Sequence, residues 1–307
     1  MQHTVSFVLP AYKCEFLAEA INSILSQTYK DFELIIVNDA SPYNLSDIVN
    51  KFQDSRIRYY ENEKNLGGVN LTNSWNYAMK YTDAEFVVLA SDDDIYAPEY
   101  LRTMMTLVDK YPKCDLFHCR LRYIDESGNF KFYSNPALEY ESCVDFIYQR
   151  LFNSRKQAAP EFLFRRSALM AIGGFISFPI AWYSDDATWT ALSTKGVVCT
   201  KEALLSFRMS GINLSTNSLK NSEKIEALYQ YKQWLGKFLH ELQASTIEDQ
   251  CILESCKQHY ESILNAHLFL YLPYLPHSQF LKKLIDSKRR KALSWRSFWG
   301  IIIRKVL

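Results

Sequence analysis

Apolar positions in the first third of the chain switch repeatedly between two periods. Val5-Ser-Phe-Val-Leu9 is a short apolar run with strand character, and Glu15 to Gln27 then carries Leu17, Ala20, Ile21, Ile24 and Leu25 at helical spacing. Phe32 to Val37 reads as a second strand, Ser46 to Phe52 as a short helix and Arg56 to Tyr60 as a third strand. A helix over 70–80, a strand over 86–90 and a helix over 99–110, with Leu101, Met104, Met105 and Val108 on one face, continue the alternation. Strands separated by helices predict βαβ units and an α/β fold with a mainly parallel sheet. Residues 115–164 are mixed and rich in aromatics (Phe117, Tyr123, Phe130, Phe132, Tyr133, Tyr140), with a hairpin turn at Ser127-Gly-Asn129. Gly196–Thr200 and Ala203–Phe207 read as two closing strands. From Asn221 the pattern is helical: Ile225, Leu228, Tyr231, Leu235 and Leu239 share a face, Ser245 and Glu248 form a capping box, and Pro273 and Pro276 interrupt the helical pattern further on. The expected organisation is an α/β domain over 1–217 and a helical extension over 218–307.

The strand at Phe86–Ala90 is the one around which the candidate chemistry gathers. Its unbroken apolar run suits a strand covered on both faces, yet it ends in Asp92, Asp93 and Asp94. Three carboxylates crowded there are costly unless a cation compensates, and that end of a parallel strand is where open sheets bind ligands. A divalent-metal and nucleotide site is one reading; a solvated acidic turn before Pro98 is the other. Pro10-Ala-Tyr12 ends the first strand with a tyrosine able to stack on a base or ribose. Asn38-Asp-Ala-Ser41 ends the second and sets Asp39 on the same edge, able to accept from a base N–H. Each alone is ordinary turn composition; together on one edge they point to a shared site. No GxGxxG follows the first strand, so the dinucleotide fingerprint is absent.

Composition sharpens this only in places. An apolar fraction of 48% with 22% charged residues in 307 residues suits a large globular domain with an appendage. No apolar run approaches the ~20 residues of a membrane span. No basic leader precedes Val5, and seven scattered cysteines form no CxxC pair; a reduced, cytoplasmic chain is expected. Charge is segregated: residues 282–307 hold nine Lys and Arg against one Asp, whereas residues 1–281 hold 26 cations against 33 carboxylates. The last twenty residues place Trp295, Phe298, Trp299, Ile302 and Val306 at helical spacing beside basic residues. That is the pattern of an interfacial helix on an anionic membrane surface, with a helix docked on protein as the alternative. The apolar face is too large for a phosphate-binding arm, so nucleic acid is not an expected partner.

Val8-Leu-Pro-Ala-Tyr12, Ile24-Leu-Ser-Gln-Thr-Tyr29, Phe32 to Ser41, Asn65-Leu-Gly67 and Ser91-Asp-Asp-Asp-Ile-Tyr96 together resemble the family 2 glycosyltransferases over about Val5 to Ser215. That resemblance implies an inverting, metal-dependent enzyme with a GT-A-type nucleotide-sugar-binding domain, followed here by the helical extension. Pro10, Ala11 and Tyr12 would line the nucleotide pocket and Asp39 would bind the base. The family's Asp-x-Asp motif falls on Ser91-Asp92-Asp93, with serine in its first position. Asp92 is then expected near the ribose, Asp93 as the ligand of Mg²⁺ or Mn²⁺, and Asp94 as its helper. Both ions take hard oxygen ligands, and either would neutralise the leaving diphosphate. Where the family usually carries Arg-Asn, this chain has Thr72-Asn73, so a phosphate-side cation is missing or comes from elsewhere.

Gly173-Gly-Phe175 followed by Trp182-Tyr-Ser-Asp-Asp-Ala-Thr-Trp189 resembles the family's Gly-Gly-Phe segment and the Glu-Asp motif after it, with Asp185 in the Glu position. Asp186 matches the family's catalytic base and Asp185 is the runner-up, with an N-cap for the following helix as its alternative role. Arg208 is expected to meet a phosphate or to form a surface salt bridge, and Ser210 stands where relatives often carry histidine. The expected function is transfer from a nucleotide-diphosphate sugar, UDP-sugar favoured, to a saccharide or lipid-linked saccharide acceptor. The expected setting is bacterial cell-surface polysaccharide synthesis at the inner face of the membrane. A metal-dependent nucleotidyltransferase would share the acidic strand end but gives no reason for Asp185-Asp186. A non-catalytic membrane scaffold would follow if Ser91, Thr72 and Ser210 mark a degenerate site.

Overall fold

Three strands form the centre of the sheet because their side chains are covered on both faces. β1 (Val5–Ala11), β2 (Phe32–Asn38) and β4 (Phe86–Leu89) are buried throughout except at Pro10. The computed structural model describes residues 4–152, 154–209 and 220–306. Alternate residues go to opposite faces: Phe7, Leu34, Ile36 and Val88 join one core, and Val8, Ile35, Val37, Val87 and Leu89 the other. With β3 (Ile57–Glu61) at the edge, the order β3-β2-β1-β4 is parallel throughout. The ends of β1, β2 and β4 therefore lie side by side. β9 (Phe162–Arg165) runs antiparallel between β4 and β6 (Leu116–Ile124), and β10 (Val197–Arg208) returns parallel to β6. β5 (Ile95–Tyr96) closes that edge, while β7 (Phe130–Tyr133) and β8 (Tyr140–Glu141) branch from β6 and β10.

α1 (Leu17–Leu25) and α4 (Tyr100–Lys110) cover one face of the sheet through Leu17, Ile21, Ile24, Leu101 and Met104. The other face is covered by α3 (Leu71–Ala78), α5 (Cys143–Leu151) and α7 (Ser184–Leu192), which contribute Ala78, Phe146, Trp189 and Leu192. The remaining short helices of the α/β part are α2 (Leu45–Val49) and α6 (Arg166–Ala171). The two closing strands expected from the sequence are one strand, β10, whose register shifts between Cys199 and Leu205, where Lys201 and Glu202 turn to solvent.

The C-terminal helices are α8 (Asn221–Glu241), α9 (Ile247–Ala266), α10 (Leu268–Tyr271), α11 (His277–Arg289) and α12 (Trp295–Val306). The boundary expected at 217/218 lies outside the described residues. The cap of α9 falls one residue later than the sequence suggests: the Thr246 side chain accepts from the backbone N–H of Asp249 at 3.0 Å. These helices share a core with α5 and α7, in which Val144, Ile147 and Ala187 meet Ile225, Leu253 and Ile301. α12 is rotated relative to the expected face. Ile301 is buried and Phe298 and Ile302 pack against the core, leaving Trp295 (64%), Trp299 (58%) and Ile303 (57% exposed) outside. Among the described residues no helix is long and apolar enough to cross a membrane.

Trp189 anchors α7 to the sheet, with its ring fully buried and stacked on Phe162 at 4.7 Å beside Phe164 and Phe175. Trp189→Ala is expected to lower the unfolding free energy by about 3–5 kcal/mol. Urea denaturation measures this, and a loss under about 1 kcal/mol, the scale of an average substitution, would contradict the anchoring role.

Candidate active site

A cavity of about 860 Å³ opens at the shared strand edge. It is lined by Pro10, Tyr12, Lys13, Asp39 and Asp92 to Asp94 from the strand ends, and by Trp182, Tyr183, Asp185 and Asp186 from the segment leading into α7. The fold thus brings together two carboxylate groups that lie about ninety residues apart in the chain.

Asp39 is almost fully buried and organises the neighbouring loop. Its Oδ1 accepts from the Asn62 amide at 2.7 Å and from Leu66 N–H at 3.0 Å, and its Oδ2 accepts from Gly67 N–H at 2.7 Å. A Cβ on residue 67 would stand 2.9 Å from Asp39 Oδ2, so the close approach requires glycine. Tyr12 is exposed at the cavity mouth. Ala11 is fully buried and does not line the cavity; its carbonyl accepts from Asp39 N–H at 2.9 Å. The alternation of β1 turns the side chain at 11 into the core, which corrects its expected place in the pocket.

Asp92, Asp93 and Asp94 are all buried, at 6%, 5% and 1% exposure, which excludes a solvated acidic turn. Asp92 Oδ2 accepts from the backbone N–H groups of Tyr12 (2.9 Å) and Lys13 (2.8 Å). The Lys13 ammonium lies 3.3 Å from Asp92 Oδ1 and also donates to Asp93 Oδ2, while Ser91 Oγ donates to Asp93 Oδ1. Burial works against the Lys13 charge, but Asp92 and Asp93 outweigh it and raise its pKa. Asp94 Oδ1 accepts from Arg208 N–H at 2.8 Å, whereas its buried Oδ2 has no hydrogen-bond partner among the described residues. Burial, then the charge of Asp93, pushes the Asp94 carboxyl well above the usual carboxylate range. Among the described residues no three ligating side chains form a ready-made metal cage. The convergence of Asp92 Oδ1 and Asp93 Oδ2 on one cation, with the orphaned Asp94 oxygen nearby, nevertheless fits a divalent ion completed by phosphate oxygens.

Arg208 is not at the cavity wall. Its side chain is buried over the Phe16 ring (4.1 Å); Nε donates to the Asp93 carbonyl at 3.0 Å, Nη1 to the Glu126 carbonyl at 2.9 Å, and Nη2 pairs with Glu19. The guanidinium braces the acidic loop from behind, which corrects its expected phosphate contact; the salt bridge of the other reading is present, with the arginine buried and Glu19 half exposed. Ser210 lies outside the described residues.

At the second carboxylate pair, Asp186 is clamped. Arg150 on α5 grips both of its oxygens, Nη2 to Oδ2 at 3.0 Å, and Gln157 Nε2 donates to Oδ1 at 3.0 Å. No side chain among the described residues hydrogen-bonds Asp185, which is half-buried. Burial first, and then the Asp186 charge, pushes its carboxyl up to about 7, against the pull of Arg150. The N-cap of α7 is Tyr183, not Asp185. Three non-glycine residues before it, Ile180, Ala181 and Tyr183, have φ of 52°, 59° and 64°. Such left-handed backbone persists where surroundings over-determine it. Tyr183 stacks on Tyr231 at 4.9 Å and its hydroxyl meets His267 Nδ1 at 2.7 Å and Tyr271 Oη at 3.1 Å. Trp182 Nε1 donates to Tyr271 Oη at 3.0 Å. The C-terminal helices thereby fix the segment that presents Asp185.

The family model described as Glycosyl transferase family 2 matches residues 6–178. The chain belongs to this family. It is 24% identical over 250 residues to UDP-Glc:alpha-D-GlcNAc-diphosphoundecaprenol beta-1,3-glucosyltransferase WfgD of Escherichia coli, covering 77% of this chain and 87% of that protein. Across the first relatives, the share of the other protein that is covered runs from 22% to 87%. In fold it is similar to S. aureus TarS 1-349 in complex with UDP-GlcNAc, with a TM-score of 0.65 and 16% identity over 95% of this chain and 88% of that one. It is also similar to the mannosyltransferase PcManGT from Pyrobaculum calidifontis in complex with GDP-Man and Mn²⁺, with a TM-score of 0.56 and 15% identity over 100% of this chain and 86% of that one. The resemblance read from the motifs and the expected α/β GT-A architecture are borne out.

In this glycosyltransferase, sequence reasoning passed over Lys13, Arg150, Gln157 and Trp75, all of which line the cavity. Lys13 directly follows the Pro10-Ala-Tyr12 motif, and a search for a cation beside the acidic triplet would have found it. Arg150 on an amphipathic helix carries no such signal. Asp39→Ala would leave the Leu66 and Gly67 amides without their acceptor. Hydrogen exchange at both is expected to speed up by about tenfold or more; unchanged exchange would remove Asp39 from its loop-holding role.

Proposed function

We propose that this glycosyltransferase moves a sugar from a UDP-sugar to a hydroxyl of a saccharide or lipid-linked saccharide, with inversion at the anomeric carbon, in bacterial cell-surface polysaccharide synthesis. The observation that carries this reading is that one cavity holds both a buried, cation-paired acidic strand end and the half-buried Asp185 carboxyl, whose pKa burial and the Asp186 charge raise. The UDP-GlcNAc held by TarS and the UDP-glucose chemistry in the name of WfgD support the donor class.

Tyr12, exposed at the mouth, offers a stacking surface for the base. Asp39 keeps acceptor capacity for a base N–H beyond its three loop hydrogen bonds. Pro10 lines the same pocket, and Asp92 fixes the turn at Tyr12 and Lys13 beside the expected ribose position. Asp93, with Asp92 Oδ1 converging on the same point and Asp94 as the expected helper, would hold Mg²⁺ or Mn²⁺, which when bound neutralises charge on the departing diphosphate; the Mn²⁺ of PcManGT supports this choice.

The hydrogen bonding favours Asp185 over Asp186 as the base. Asp186, gripped by Arg150 and Gln157, positions the first turn of α7, while Asp185 accepts the acceptor's hydroxyl proton. As that proton moves, the acceptor oxygen bonds to the anomeric carbon from the face opposite the phosphate, and the carbon–oxygen bond to phosphate breaks with its electron pair leaving on the diphosphate. A base must be ionised, so kcat/KM is expected to rise with pH through about 7, the pKa of Asp185, and to fall about tenfold per unit below it. Asp185→Asn is expected to lower turnover by about 10²–10⁴-fold with UDP affinity unchanged. The assay is UDP release from a panel of UDP-sugars with a polyprenyl-diphosphate-linked GlcNAc acceptor. Wild-type turnover in Asp185→Asn beside an inactive Asp186→Asn would return the role to Asp186.

The acceptor class fits the C-terminal surface. Trp295, Trp299 and Ile303 form an exposed stripe on α12 at i, i+4, i+8 spacing, within a segment carrying nine cations and one aspartate. We assign it to the anionic inner face of the cell membrane, with α12 docked on the protein through Ile301 at the same time. Sedimentation with phosphatidylglycerol vesicles is expected to pull down the wild type, to weaken about tenfold in Trp295→Ala/Trp299→Ala, and to decline with salt. Equal binding to phosphatidylcholine vesicles, or none to either, would contradict the assignment.

A further inference from the structure

Lys13 and Arg150 are the two lysine or arginine side chains that line the cavity among the described residues. Arg150 is committed to Asp186 on both carboxylate oxygens. Lys13 is placed differently: its side chain is 27% exposed, reaches the cavity, and sits on Asp92 Oδ1 and Asp93 Oδ2, the two oxygens best arranged to receive a metal ion. An ammonium carries three donors on a flexible stem and can change partners without rebuilding the backbone. Its anchor is rigid, because the Lys13 backbone N–H is fixed to Asp92 Oδ2 at 2.8 Å. Only the side chain needs to move.

We propose that Lys13 is an exchangeable counter-ion that becomes the phosphate-side cation of the donor site. Without ligand, it neutralises Asp92 and Asp93 and lets the acidic strand end pack. When donor and metal arrive, the ammonium turns from the carboxylates to a diphosphate oxygen, and the freed oxygens of Asp92 and Asp93 face the divalent ion. One cation is exchanged for another at the carboxylates, and the displaced one stays in the cavity on the incoming anion. This answers the missing phosphate-side cation at Thr72-Asn73: the charge comes from the residue after Tyr12. The inference rests on the nucleotide-donor reading above.

The test is titration calorimetry on the full chain, comparing wild type, Lys13→Met and Lys13→Arg with three probes: UDP in Mn²⁺ buffer, uridine in the same buffer, and Mn²⁺ alone. Lys13→Met is expected to lose about tenfold or more in UDP affinity, the scale of a charge-assisted hydrogen bond, with uridine affinity unchanged because uridine has no phosphate. It is expected to bind Mn²⁺ alone more tightly than wild type, since the competing ammonium is gone. Lys13→Arg keeps most of the UDP affinity and reports that the site is folded. Unchanged UDP affinity in Lys13→Met overturns the phosphate contact, and unchanged or weaker Mn²⁺ binding overturns the exchange. Wild-type protein that binds neither UDP nor uridine overturns the donor reading itself, and this inference with it.

Discussion

Three buried carboxylates at the end of one strand are the constraint around which the structure is built. Asp92, Asp93 and Asp94 lie where β4 leaves the sheet, each at 6% exposure or less. Removing such groups from water costs several kcal/mol apiece unless hydrogen bonds and opposite charge compensate. The compensation comes from every side. The turn after β1 gives two backbone N–H groups and the Lys13 ammonium, and the end of β10 gives the Arg208 N–H to Asp94 and its guanidinium to the Asp93 carbonyl. Segments far apart in sequence are thus tied to the acidic loop, and the cavity shape follows from those ties. One oxygen, Asp94 Oδ2, is left without a partner among the described residues.

The second carboxylate pair depends on a different part of the chain. Asp185 and Asp186 open α7 after a segment in left-handed backbone, and that backbone is held by Tyr231, His267 and Tyr271 from the C-terminal helices. Trp189 fixes the same helix to the sheet from below. The helical extension is therefore structural to the half of the cavity that presents Asp185, besides carrying an exposed aromatic stripe on α12. That the α12 stripe and the Asp185 carboxyl belong to one packed unit supports the lipid-linked acceptor proposed above.

The strand–helix alternation, the parallel sheet and the acidic strand end were legible because each leaves a periodic or compositional mark. Two kinds of feature were not. The first is direction: the pattern names Ala11 and Arg208 as site residues, but strand alternation turns Ala11 inward, and bonds to the Asp93 and Glu126 carbonyls and to the half-exposed Glu19 draw Arg208 behind the loop. Likewise the apolar residues of α12 are consistent with more than one face, and packing against the core chose Phe298, Ile301 and Ile302. The second is partnership across long sequence distance. Asp186 ranks above Asp185 by motif, and nothing near it in the chain announces that Arg150 and Gln157 will occupy its oxygens. The middle segment that supplies both reads as mixed and aromatic, with no charge pattern pointing to Asp186.

A structure of the protein with UDP and Mn²⁺ bound tests the donor site most directly. The nucleobase is expected beside Tyr12 and Asp39, the diphosphate between the Lys13 ammonium and an ion on Asp93, and the Asp185 carboxyl facing the space where the sugar would extend. A nucleotide bound outside this cavity, or one whose diphosphate points away from Lys13 and Asp93, would contradict it.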